Sequence, residues 1–228
     1  MHVTNVKAFQ SGGATHDSPT DSTQDGIGAG SDTYKYYTGG PENFPDPETE
    51  WISFEDMWNA NMNTLQTSCG YLGEGDDNTD SQIQDIYNAI QDRAAASLVD
   101  QRYIFATILQ ESNGCIHVGQ TTSSGGVDNP GLMQSHNGDA YNKYHQTDSI
   151  LLMVQDGTQG TEHGDGLVQN LDLYGNPYSA SRGYNSGYIP KSGDLSEAAG
   201  ATACYVTDIA NRLTGWVRAK SLCPGDTA

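Results

Sequence analysis

Positive charge is scarce in this chain. Ten Lys and Arg stand against 29 Asp and Glu in 228 residues, a formal charge of −19. So negative a surface repels nucleic acid and anionic lipid, so neither is an expected partner. Long apolar runs are also missing: nothing approaches the ~18 consecutive apolar residues that a membrane-spanning helix needs. Only 17% of residues are charged and 35% hydrophobic, while glycine is frequent at 27. That balance predicts a loop-rich globular chain with a modest core. The opening "MHVTNVKAFQSGG" has no leader-like apolar run, so the chain is expected either to be cytosolic or to be a mature form whose leader was replaced by Met. N-x-[ST] sequons are absent and lend nothing to that choice.

Cysteine is sparse too, and no two cysteines are spaced as a CxxC metal or redox motif. Cys69, Cys115, Cys204 and Cys223 form an even, scattered set among many Gly, Ser, Thr and Asn residues. This pattern favours two structural disulfides and a secreted, extracellular protein. Three pairings are open. The reading favours Cys69–Cys115 and Cys204–Cys223, because the second closes a short loop at the carboxyl end of an expected helix. Four buried free thiols are the alternative.

What is present is mostly helical signal. Residues 1–47 show none, and "SGGATHDSPTDSTQDGIGAGSDT" followed by "YKYYTGGPENFPDPE" reads as an extended arm with one short strand at Thr33–Thr38. Its tyrosines either pin the arm to a core or form a platform on which sugars stack. From residue 48 onward a single domain is expected. Ser53 is a plausible N-cap for a helix that places Phe54, Met57, Trp58, Met62 and Leu65 on one face. A second helix starts near Asp80–Ser81 with Gln84 placed for a capping box, carries Ile83, Ile86, Tyr87 and Ile90, and runs into "RAAAS". A third starts near Asp100 with Tyr103, Ile104, Phe105, Ile108 and Leu109. "DSILLMVQDG" and "GDGLVQNLDLYG" are two further helical pieces, and a long last helix is expected from Leu195 to Leu213. The fold class is therefore mainly α.

Two acidic stretches invite a metal and do not support one. "DDNTDSQ" at 76–82 resembles the start of a calcium loop, but Ser81 stands where the turn needs Gly and Tyr87 where it needs Glu. His163 and Asp165 in "TEHGDG" are an isolated pair. No metal and no cofactor are expected.

Glu111 is the residue that asks for an explanation. It lies seven positions after Ile104, so on a helix turning ~100° per residue the two point within about 20° of each other. A carboxylate on a buried stripe is desolvated, and at a helix carboxyl end it meets the negative pole of the peptide dipoles. Both effects raise its pKa, and a carboxylic acid still protonated near neutrality can give its proton to a leaving group.

Further along stand "GLMQ" within "NPGLMQSH" and "GYNSG" within "RGYNSG". With "ILQESNG" these make three ordered signatures that resemble the lysozyme superfamily, soluble lytic transglycosylases and goose-type lysozymes above all. Secreted fungal muramidases are further possible kin. "VQDGTQGT" resembles a Gly-containing helix between the second and third signatures. The resemblance covers roughly residues 100–190 and neither the first 50 nor the last 35. It implies a lysozyme-like helical domain, with Glu111 as the catalytic acid and Ser112 supporting it. Gly131 through Met133 to Gln134 would form one wall of a cleft, with Gln134 on the sugar. Tyr184 would hold Glu111 by its hydroxyl, and Asn185 would contact substrate. The chain departs from the goose-type pattern after "GLMQ", where Ser135 and His136 replace an aspartate. Asp128 is then the nearest candidate for a second carboxylate, or else the start of an Asx-turn before Asn129–Pro130.

The implied activity is cleavage of the β-1,4 bond between N-acetylmuramic acid and N-acetylglucosamine, with the glycan strands of peptidoglycan as partner and the chain acting as a monomer. Two other readings stand beside it: a chitosan or chitin hydrolase, whose polycationic substrate would suit the acidic chain, and an inert sugar-binding module.

Overall fold

The computed structural model describes residues 22–123 and 125–224, so most of the first half of the expected arm lies outside the described residues. Eight α-helices and one two-stranded hairpin make up the regular structure of the described residues, apart from a 3-10 turn at Pro41–Asn43. None of those helices is long and apolar enough to cross a membrane.

Helix α1 (Phe54–Ala60) starts where Ser53 Oγ accepts the Asp56 amide at 3.0 Å. Asn61 then folds its side-chain amide back onto the Met57 carbonyl at 2.9 Å and ends the helix. Helix α2 (Met62–Leu72) begins again at once, so the single apolar face expected from Phe54 to Leu65 is shared by two helices. Helix α3 (Asp80–Ser97) is capped two residues earlier than expected, by Thr79 with Gln82 rather than Gln84. Burial decides between the overlapping registers: Gln82 is buried and donates to the Tyr141 hydroxyl at 2.9 Å, whereas Gln84 bonds only Asn88 on the exposed face.

Helix α4 (Gln101–Ser112) is the central element. It packs on α1, on α3, on α5 (Gln146–Gln159) and on α8 (Tyr205–Leu213). Every residue from Gln101 to Leu109 is buried, so no polar face remains. The one cation among them, Arg102, forms a 2.6 Å ion pair with the N-cap residue Asp100. Helices α3 and α5 pair along one flank, and α6 (Leu167–Tyr174) packs on α7 (Pro177–Ser186) on another.

Three expectations are corrected. Thr33–Thr38 carries no regular secondary structure and so forms no strand. Polar side chains of α8 take the place of a neighbouring strand: Asn211 bonds the Lys35 amide and carbonyl at 2.7 and 2.8 Å, and Thr207 donates to the Tyr37 carbonyl at 2.9 Å. Tyr34 and Tyr37 are buried, which favours pinning over a stacking platform; the Tyr34 hydroxyl donates to Asp208 at 2.6 Å. Next, the last helix covers only Tyr205–Leu213. The carbonyls of Glu197 and Thr202, which a longer helix would use, accept instead from the Arg182 guanidinium at 2.9 and 3.2 Å, and Ala199 and Cys204 turn to positive φ. Finally, α7 is a helix that the sequence gives no periodic signal for. Asn176 caps it and Pro177 opens it, but its buried residues are largely small or polar and show no apolar period.

Both disulfides pair as favoured, Cys69–Cys115 and Cys204–Cys223. The second adjoins the amino end of α8 rather than the carboxyl end of a helix, since Cys204 is its N-cap residue.

Candidate active site

The end of α4 is bolted to the "GLMQ" turn. Ser112 Oγ lies 2.8 Å from the Leu132 carbonyl and 3.0 Å from that of Ile108, and accepts the Gly114 amide at 3.2 Å. The turn itself is tight: Gly131 has φ +80°, and a Cβ there would come within 2.6 Å of the Asp139 carbonyl. Met133 is buried against Gly157 of α5, where an added Cβ would lie 2.4 Å from its own Cβ and Sδ. Ser112, Gly131 and Met133 thus hold the frame together and do not line the cavity beside it.

Glu111 does line that cavity. Its carboxyl accepts the Tyr205 hydroxyl at 2.5 Å and is pushed up to about 7, because burial disfavours the anion more than this bond favours it. Tyr205 is itself buried, and burial together with the neighbouring carboxylate holds its hydroxyl well above the ordinary phenol range, so it stays a donor. Tyr184 has a different partner from the one expected. Its hydroxyl donates to the Met133 carbonyl at 2.8 Å, so it braces the turn, and Tyr205 holds the acid instead.

The cavity measures about 730 Å³, within the roughly 300–1,000 Å³ usual for small-ligand sites. The hairpin of β1 (Thr121–Thr122) and β2 (Asp128–Asn129), paired antiparallel, lines it through Thr121, Thr122 and Asn129, together with Gln134 and His136. The loop at His163–Asp165 and the α6 residues Asn170, Leu173 and Tyr174 line it as well. Residues Gly183–Gly187 and Gly200–Thr202 complete the lining. Hydroxyls, amides and backbone predominate, which suits a ligand rich in hydroxyl and acetamido groups.

Several expected contacts are occupied from within. Gln134 uses its amide nitrogen on the Gly119 and Gly131 carbonyls, both at 3.1 Å, and its oxygen accepts the Thr121 amide at 3.0 Å. It braces the hairpin from the cavity lining. The Asn185 oxygen is taken by Arg182 and by the Thr202 amide, which ties α7 to the far rim. Asp128 is exposed on β2, where Thr122 Oγ donates to it at 2.8 Å, and it does not border the cavity. Its carboxylate forms this cross-strand bond rather than an Asx-turn. Among the described residues, no three His, Cys, Asp or Glu side chains converge as a metal site.

Of the expected residues, the fold brings Glu111, Gln134, Tyr184 and Asn185 to one cavity and leaves out Asp128, Ser112, Gly131 and Met133. Sequence reasoning missed Tyr205, and the signal for it was faint: it precedes Ile209 by four residues and so extends the apolar stripe of the last helix. No family model, curated protein or solved structure matches this chain.

Proposed function

We propose that this chain is a secreted muramidase: a lysozyme-like helical domain, with an extended amino-terminal arm, acting as a monomer on the glycan strands of bacterial peptidoglycan. One observation carries the reading. Glu111 stands on the wall of a polar cavity with its acidity weakened to about 7 and its orientation set by Tyr205. About half of such side chains keep their proton at neutral pH, which is the state a general acid needs. In the proposed reaction Glu111 protonates the oxygen linking N-acetylmuramic acid to N-acetylglucosamine as the bond to the muramyl anomeric carbon breaks. The three sequence signatures support this assignment, and the two disulfides are consistent with work outside the cell.

The test is digestion of purified peptidoglycan, with released muropeptides identified by mass spectrometry. Muramyl reducing ends are expected, and Glu111→Gln should lower their rate of appearance by at least about 10²-fold while the protein stays folded. Fragments from chitosan but none from peptidoglycan would move the assignment to a chitosan hydrolase. Undiminished cleavage by the Gln variant would remove Glu111 as the acid.

A further inference from the structure

Apart from tyrosines, the ionisable side chains lining the cavity are Glu111, His136, His163 and Asp165. Protonating the leaving oxygen is only half of a hydrolysis, since the attacking water must also lose a proton. Asp128 is not among the residues that line the cavity, its carboxylate being bonded to Thr122 Oγ, so that second group must come from the remaining three if it is a cavity side chain. Resting on the muramidase reading above, we propose that His136 is the catalytic base that activates water.

The backbone around His136 is what favours it. Gln134 at φ +47° and Asn137 at φ +52° bracket Ser135 and His136; asparagine enters the left-handed region readily, but glutamine rarely does. Such strain persists only where the surroundings over-determine it. Here they do. The carbonyl of Leu132 faces Ser112 Oγ at 2.8 Å, that of Met133 accepts from Tyr184 at 2.8 Å, and that of His136 accepts from Thr161 Oγ at 2.7 Å. The imidazole lies against Gly164, where an added Cβ would come within 2.5 Å of His136 Cβ and 3.0 Å of its Cγ. His163 and Asp165, by contrast, are exposed on the loop that closes over that ring. Glu111 and His136 are therefore mounted on one hydrogen-bonded frame, joined through Ser112 and Leu132.

The step balances with water as the only co-reactant. The water oxygen bonds to the muramyl anomeric carbon as the glycosidic bond breaks. The electron pair of that bond stays on the leaving oxygen, which takes the Glu111 proton, and the proton of the water passes to an imidazole nitrogen of His136. A single displacement gives the α-anomer first, which is inversion.

The experiment digests uncross-linked peptidoglycan strands with the wild type, Glu111→Gln, His136→Gln, His163→Gln and Asp165→Asn, with and without sodium azide. His136→Gln is expected to hydrolyse roughly 10²–10⁴-fold more slowly while still binding a chito-oligosaccharide. Azide, which needs no deprotonation, should restore cleavage and give an α-glycosyl azide visible by NMR. His136→Asn stands in if the Gln variant misfolds. Hydrolysis by His136→Gln within about threefold of wild type overturns the inference, and so does a loss that follows Asp165→Asn or His163→Gln instead. Failure of azide rescue, or a β-anomer as first product, overturns it as well. An inactive wild type would sink the muramidase reading itself, a result distinguishable from all of these.

Discussion

Tyr205 and Glu111 pull in opposite directions on one proton. Burial holds the carboxyl neutral, and the tyrosine hydroxyl favours the anion. Tyr205→Phe removes the opposing influence, so the Glu111 pKa should rise further and the alkaline limb of the activity profile should move up by about one pH unit. The maximal rate should fall at the same time, because the acid loses its orientation. A pH–rate profile of the variant checks both. The same proton bears on stability. The folded carboxyl titrates at about 7 against 4.5 in the free side chain, so the folded state holds more protons between those values. The stability this provides is fully present below about 4.5 and is lost as pH rises through 7. Glu111→Gln cannot ionise, so it should melt a few degrees above wild type at pH 8 and close to it at pH 4. Calorimetry at the two pH values is the measurement, and equal melting temperatures at pH 8 would contradict the burial argument.

The elements around the site are held at distances that single atoms can upset. Helix α5 approaches the "GLMQ" turn only because residue 157 is glycine; an added Cβ would meet Met133 Cβ and Sδ at 2.4 Å. Alanine gains about 1 kcal/mol over glycine in helix propensity. The contact is with the root of the Met133 side chain, whose carbonyl Tyr184 clamps at 2.8 Å, so little can yield. The overpacking should dominate: Gly157→Ala is expected to destabilise the fold by about 1–3 kcal/mol and to reduce cleavage as the turn shifts. Urea denaturation and muropeptide release measure the two effects.

Taken whole, the molecule carries a charge of −19, and the wall it is proposed to attack is anionic. Repulsion should slow encounter with intact cells at low ionic strength. Raising salt from about 0.01 to 0.1 M shortens the screening length from ~30 to ~10 Å, so lysis of whole cells should accelerate several-fold. Cleavage of short uncharged oligosaccharides should change little over the same range. A steady fall in whole-cell lysis with added salt would contradict this account.

Local signals carried far. The cap at Ser53, the start of α4 near Asp100, the buried stripe of α4, two of the later helices and the position of Glu111 on a greasy face can all be read from neighbouring residues, because each depends on contacts within a few turns of chain. The partners of those groups cannot. Tyr205 reaches Glu111 across 94 residues, Tyr184 reaches Met133 across 51, and Asn211 replaces a strand for Lys35 across 176. Nothing in a tyrosine or an asparagine announces which distant backbone it will meet. That choice follows from how buried helices pack and from which carbonyls Arg182 draws away from the final helix. So the chain's letters placed the acid, and packing chose what holds it.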